Sequence, residues 1–187
     1  MKKIFTLIVL LALLSGLKSA NAQFEYIGGG IALATGGEYK YNGYSYYNKS
    51  FGFDLRALYD LNKKIDIVPD FKFYLPYKES FTAGGEAKTT VVAFNLNAHY
   101  ILNPKPRTNY RLYLLGGAHF SGWFINDNRV SITETLDINE FRFAPGVNAG
   151  AGMQFSFGAN VIFFAEAKYV LAKTNQLVFT PGFLFLL

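Results

Sequence analysis

The run from Phe141 to Phe155 leaves the chain few structural options. Phe141, Phe143, Pro145, Val147, Ala149, Ala151, Met153 and Phe155 share one phase of period 2. Arg142, Ala144, Gly146, Asn148, Gly150, Gly152 and Gln154 share the other. Such alternation describes a β-strand with one apolar face and one polar or small face. Phe94, Leu96, Ala98, Tyr100 and Leu102 oppose Asn95, Asn97, His99 and Ile101 in the same way, and Phe51, Phe53, Leu55, Ala57 and Tyr59 oppose Asp54, Arg56 and Leu58. Eight strands emerge, at about 24–35, 51–60, 65–75, 89–102, 110–124, 141–156, 161–171 and 176–187.

The connections alternate in length. The first, third, fifth and seventh cover 36–50, 76–88, 125–140 and 172–175. The second, fourth and sixth are Leu61-Asn62-Lys63-Lys64, the segment 103–109 and Phe157-Gly158-Ala159-Asn160. Long loops on one side and tight turns on the other are the pattern of outer-membrane barrels, with the turns in the periplasm. No segment after residue 22 is long and apolar enough for a spanning helix. A bilayer then admits only a closed barrel, which satisfies its own backbone polar groups. The expected fold is all-β: an eight-stranded antiparallel transmembrane up-and-down β-barrel, with both termini in the periplasm.

The N-terminus carries an export signal. Lys2 and Lys3 precede an apolar run from Ile4 to Leu14, and Ser19-Ala20-Asn21-Ala22 follows. These are the charged region, apolar core and small-residue cleavage site of a secretory signal peptide. Residues 1–22 are therefore expected to be removed, leaving 23–187 as one barrel domain. Without Lys2, Lys3 and Lys18, 15 basic residues face 13 acidic ones, so the basic balance is partly the signal's. No basic patch argues for nucleic acid. The chain has no cysteine, which excludes disulfides, thiolate metal sites and anchoring through an N-terminal lipidated cysteine.

The first strand fits least well. A phase that turns Phe24 and Tyr26 to lipid turns Ile31 and Leu33 inward, so Gly28-Gly29-Gly30 is expected to hold a register-flipping bulge or a close-packed flexible strand.

Three segments carry a family resemblance: Val147-Asn148-Ala149-Gly150-Ala151-Gly152, Phe164-Ala165-Glu166-Ala167-Lys168-Tyr169, and Asn175-Gln176-Leu177-Val178-Phe179-Thr180-Pro181-Gly182. With them the chain resembles small OmpA/OmpX-like outer-membrane barrels, especially the Bacteroidetes-type barrel domain. The final octet, with Thr180, Gly182, Phe185 and Leu187 at positions 1, 3, 6 and 8, resembles the C-terminal signal read by the barrel-insertion machinery. It departs from the usual pattern by ending in Leu rather than Phe. The resemblance implies an address in the bacterial outer membrane, contact with its lipid, and periplasmic chaperones during biogenesis. It implies no activity, because one barrel hosts many functions.

Ten charged residues are expected in the lumen: Glu25, Asp54, Arg56, Asp66, Asp70, Lys72, Arg111, Arg142, Glu166 and Lys168. Facing lipid, an Arg or Lys near the midplane costs roughly 2–4 kcal/mol, so they should point inward and pair. They form either a plug or a gated ion or proton path. The interior of eight strands is just wide enough for side chains to fill, which favours the plug.

His119 and Ser121, with Glu134 and Glu140 downstream, resemble the His-x-Ser and carboxylate set of lipid A 3-O-deacylases, which share the architecture. Such a site must face lipid. Leu112, Leu114, Ala118, Phe120 and Phe124 occupy the lipid phase, so His119 and Ser121 should point inward as ordinary lumen residues. His99 is read the same way. Tyr39, Tyr41, Tyr44, Tyr46 and Tyr47 crowd the first outer loop, suiting an interfacial belt, loop packing or contact with a partner. The segment 130–136 alternates and could extend its hairpin above the membrane as an edge for another protein.

No phosphate loop, nucleotide fingerprint or metal-ligand cluster is present. No cofactor and no enzymatic activity are expected. The favoured function is structural, adhesive or envelope-protecting, exerted through the loops on an extracellular protein or glycan. A lipid-modifying enzyme, a narrow ion channel and a soluble lipocalin-like carrier are the alternatives.

Overall fold

The computed structural model describes residues 24–82, 84–103, 109–130 and 137–187. The expected signal peptide, Glu134 and most of the 130–136 segment lie outside the described residues. Ten strands follow in order: β1 (Tyr26–Ala34), β2 (Gly37–Tyr41), β3 (Tyr44–Asn48), β4 (Phe51–Asn62), β5 (Ile65–Ser80), β6 (Glu86–Ile101), β7 (Tyr110–Asp127), β8 (Ile138–Phe157), β9 (Val161–Ala172) and β10 (Gln176–Leu186). Eight of them close an antiparallel barrel in the order β1-β10-β9-β8-β7-β6-β5-β4, while β2 and β3 form a separate two-stranded sheet. Closure leaves the barrel wall without an open edge.

The barrel is inside out relative to a soluble protein. Phe53, Leu55, Phe94, Leu96, Leu114, Phe143, Val147, Phe183 and Phe185 are all among the large apolar residues exposed on the outside. Asp54, Arg56, Asp70, Lys72, Glu166 and Lys168 are buried. A continuous apolar band of this kind has no place in water. It is a lipid-facing surface, and it rules out a lipocalin-like arrangement with the apolar face inside.

The wall is uneven. β7 has 18 residues and β8 has 20, whereas β1 has 9 and β10 has 11. A tilted strand needs about 9–11 residues to cross the hydrocarbon. The surplus lies at the loop end, because β8 runs beyond its last pairing with β9 at Gly146 and Ala172. The β5–β8 side therefore stands above the membrane, and β2–β3 leans across the mouth to touch β5 and β6.

Two expectations change. The first outer loop is a hairpin rather than irregular chain, with a two-residue turn at Asn42 (φ 49°) and Gly43 (φ 81°). Two consecutive positive φ values define the type I′ turn, and Asn-Gly is its preferred sequence. In β1, pairing with β4 runs without a break from Tyr26–Leu58 to Leu33–Phe51, so there is no bulge. Ile27, Ile31 and Leu33 face outward, and Tyr26 packs inward against Leu58, Val68, Ile162, Phe164 and Leu184. Tyr26 turns in because the apolar floor of the lumen accepts its ring.

Candidate functional site

The centre of the lumen is a closed cycle of six charges. Arg56 donates from Nε to Asp54 Oδ2 at 2.6 Å and from Nη1 to Glu166 Oε2 at 2.9 Å. Lys168 Nζ lies 3.7 Å from Glu166 Oε1 and donates to Asp70 Oδ2 at 3.1 Å. Lys72 Nζ lies 3.3 Å from Asp70 Oδ1 and bonds Asp54, completing the cycle. Acids and bases alternate around it. Each strand involved supplies an acid-x-base pair: Asp54 and Arg56 from β4, Asp70 and Lys72 from β5, Glu166 and Lys168 from β9. Period 2 puts both members of each pair on the inner face. Between β4 and β5, Asp54 pairs with Lys72 and Arg56 with Asp70, so opposite charges meet across the strands.

Neutral donors complete the layer. Asn95 and Asn97 donate to the two oxygens of Asp70 at 2.6 and 2.7 Å. Asn148 donates to Asn95 Oδ1 at 3.1 Å, and His119 Nδ1 meets the same oxygen at 2.7 Å. Apolar layers close the lumen on both sides of the charges. Towards the periplasm lie Leu58, Val68, Ile162, Phe164 and Leu184, with Arg56 stacked 4.0 Å over Phe164. Towards the outside lies an aromatic cap that includes Tyr39, Tyr46, Tyr74 and Trp123. Burying charges this deeply is tolerable only because each has a partner.

The other expected lumen charges sit elsewhere. Arg111 lies at the periplasmic rim, 3.9 Å from Asp60 and 3.8 Å from Asp66, with its side chain 45% exposed. Glu25 is exposed beside β1. Arg142 is at the outer mouth, 3.3 Å from Glu140 and 4.2 Å from the centre of the Tyr41 ring. Arg111 and Arg142 have the inward phase but lie near strand ends where water reaches them. Glu25 shares the outward phase of Ile27, so it is no lumen residue. Asp66 is buried on the inner face of β5 beside Arg111. The expected ten-residue network is thus a central six with separate clusters at each end.

His119 and Ser121 are buried on the inner face. An amide oxygen only accepts, so His119 carries its proton on Nδ1 towards Asn95. Ser121 Oγ donates to the Ala144 carbonyl at 3.1 Å and accepts from Trp123 Nε1 at 3.2 Å. Among the described residues no hydrogen bond joins His119 to Ser121, and the wall separates both from lipid. His99 stacks on Tyr113 with ring centres 4.2 Å apart. No group of described residues has the spacing to hold a metal ion.

The tyrosine-rich hairpin is the cap itself. Tyr39 and Tyr46 are buried, whereas Tyr41, Tyr44 and Tyr47 are partly exposed. Tyr39 packs 5.6 Å from Trp123. Tyr46 Oη donates to Asp127 Oδ2 at 2.8 Å. Arg129 Nε donates to both oxygens of Asp127 at 2.9 Å, and its guanidinium lies over the rings of Phe81 (4.2 Å) and Tyr44 (4.5 Å). Burial, reinforced by the hydrogen bond to Asp127, raises the Tyr46 phenol above its ordinary range. Burial also pushes the Asp127 carboxyl up, but hydrogen bonds from Arg129 and Tyr46 outweigh it and hold the carboxyl below its ordinary value. This latch stands above the apolar band, since Phe124 is followed outward on β7 by Asn126. At the opposite end, Thr180 and Gly182 of the final octet face the lumen, and Phe185 and Leu187 face out.

Beside the hairpin, an open cleft of ≈ 640 Å³ is lined by Gly36, Glu38, Tyr39, Lys40, Lys173 and Asn175. Its residues come from two segments distant in the chain, so no local pattern in the sequence marks it.

No protein-family model and no curated protein matches the sequence. Solved structures do match. The chain is similar to the attachment invasion locus protein Ail of Yersinia pestis in complex with the heparin analogue sucrose octasulfate, at 19% identity and TM-score 0.56, over 88% of this chain and 100% of that one. It is similar to Neisserial surface protein A at 14% identity and TM-score 0.60, over 89% and 99%. It is similar to the outer membrane protein OprG from Pseudomonas aeruginosa at 13% identity and TM-score 0.61, over 87% and 94%. The chain has the fold of these small barrels. That fold and the lipid-facing band together give it an outer-membrane location.

Proposed function

We propose that this barrel neither conducts nor catalyses, and serves a structural, adhesive or envelope-protecting role through its extracellular face. The closed cycle of Asp54, Arg56, Glu166, Lys168, Asp70 and Lys72 carries the reading, because it fills the lumen with mutually neutralising charges between two apolar layers. A diffusing ion would have to break ion pairs between side chains that are almost wholly buried. The same packing commits His119 and Ser121 to Asn95 and Ala144, which speaks against a lipid-modifying site. What remains available is the outer surface: the β2–β3 hairpin, the tall β5–β8 wall and the cleft between hairpin and barrel.

The similarity to Ail, a protein named for attachment and solved with a heparin analogue, supports an extracellular glycan or protein as the partner. Export with removal of residues 1–22, periplasmic chaperones and the barrel-insertion machinery complete the proposed route to the membrane.

The test is reconstitution of the folded protein in planar bilayers, with parallel adhesion of protein-bearing cells to glycan-coated and uncoated surfaces. Silent bilayers and protein-dependent adhesion are expected. Discrete conductance steps at low voltage would overturn the plugged-lumen reading, and altered lipid A in expressing cells would overturn the non-enzymatic one.

A further inference from the structure

The cleft beside the hairpin has an unusual set of uncommitted groups. Asn175 Oδ1 accepts from the Ala172 backbone N–H at 3.3 Å, which leaves its amide NH2 as the free end. Lys173 has no acidic partner among the described residues. Lys40 is 77% exposed, and its only carboxylate neighbour among the described residues is Glu38 at 3.9 Å. Glu38, the one acid of the lining, already accepts from Ser45 Oγ at 2.6 Å.

The groups free to bind a ligand are thus mainly hydrogen-bond donors, two of them cationic, against a single carboxylate, one of whose oxygens is taken by Ser45. Such a set suits an anion with several oxygens rather than a cation or a neutral polar molecule. Tyr39 also lines the cleft but is 7% exposed, so the contacts the cleft offers a ligand are mainly polar. The cleft opens at the mouth of the barrel and not on the lipid-facing wall, so its ligand arrives from the external solution.

We propose that Lys40, Lys173 and Asn175 form a binding site for a saccharide carrying sulfate or phosphate esters. This deepens the adhesive reading above by naming the ligand class and its place. The oxyanion meets the two ammonium groups and the Asn175 amide. Tyr39 also packs on Trp123, the single tryptophan of the chain, so occupancy of the cleft should perturb tryptophan emission.

The experiment titrates the folded protein in nanodiscs of zwitterionic lipid with a sulfated disaccharide, its unsulfated parent and inorganic phosphate, by calorimetry and tryptophan fluorescence. The variants are Lys40→Ala with Lys173→Ala, Asn175→Ala, and Lys88→Ala on the outer wall as a charge control. Retained heat-modifiable electrophoretic mobility verifies folding of each. The sulfated sugar should bind with a change in emission, the double variant should lose at least tenfold in affinity, and Lys88→Ala should be unchanged. Inorganic phosphate should compete and the parent sugar should not. Failure of the wild type to bind would overturn the site, as would equal affinity in the double variant or an equal loss in Lys88→Ala. Adhesion that persists in the double variant would remove this site while leaving the adhesive role standing.

Discussion

Lys168 on β9 donates to Asp70 on β5 at 3.1 Å across the lumen, joining residues 98 positions apart in the chain. The bond ties opposite walls of the barrel to one another. It turns three separate acid-x-base pairs into one closed cycle, in which no charge can be removed without leaving the other five with one charge in excess.

The first prediction concerns that cycle. Lys168→Met should destabilise the barrel by about 3–5 kcal/mol, since it leaves the buried cycle with one negative charge uncompensated. Removing the excess charge as well, in Lys168→Met with Asp70→Asn, should recover part of the loss. Equilibrium urea unfolding in lipid vesicles measures both, and equal losses would contradict the coupling.

The second concerns the latch that holds the hairpin over the mouth. Tyr46→Phe keeps the ring in the aromatic cap but removes its hydrogen bond to Asp127. Losing one partner of a buried bond costs about 1–3 kcal/mol. The cost should fall on the hairpin, so amide exchange of Tyr44–Asn48 should accelerate while β7 and β8 stay protected.

The third is a pH dependence. In the folded protein Asp127 is held below its ordinary value. A depressed carboxyl contributes stability above its unfolded value, about 3.9, and loses it as pH falls through the folded one. Hairpin protection should therefore be level between about pH 8 and 5 and weaken below about 4. Asp127→Asn should abolish the acid limb of the profile.

The fourth concerns the lipid face. Ala151 is exposed on β8 and pairs with Ala167 near the middle of β9, so Ala151→Arg should cost roughly 2–4 kcal/mol in a bilayer. Asn139→Arg, at the outer end of the same strand, should cost close to nothing. Matched unfolding midpoints for the two variants would place the apolar band elsewhere.

Much of the barrel wall was legible from alternation, because every second residue must share a face wherever a strand runs. Phe53, Leu55, Phe143 and Phe183 carried that pattern openly. β1 did not, because Gly28, Gly29 and Gly30 have no side chain to declare a phase, and Tyr26 was misread towards lipid. The β2–β3 hairpin was legible in principle from Asn42-Gly43, but the tyrosines around it read equally well as a belt. The cleft could not be read, since Lys40 and Lys173 meet only after β10 has closed against β1.

Sequence alone therefore determined the fold class and the inward or outward side of most residues, because both follow from a two-residue period and the cost of charge in lipid. Tertiary structure decided the partners. The register of barrel closure sets which inward residues share a level, and that level separates the central cycle from Arg111 at one rim and Arg142 at the other. It also decided that Tyr39 and Tyr46 fold into the mouth, where the tall β5–β8 wall gives their rings a surface to bury against.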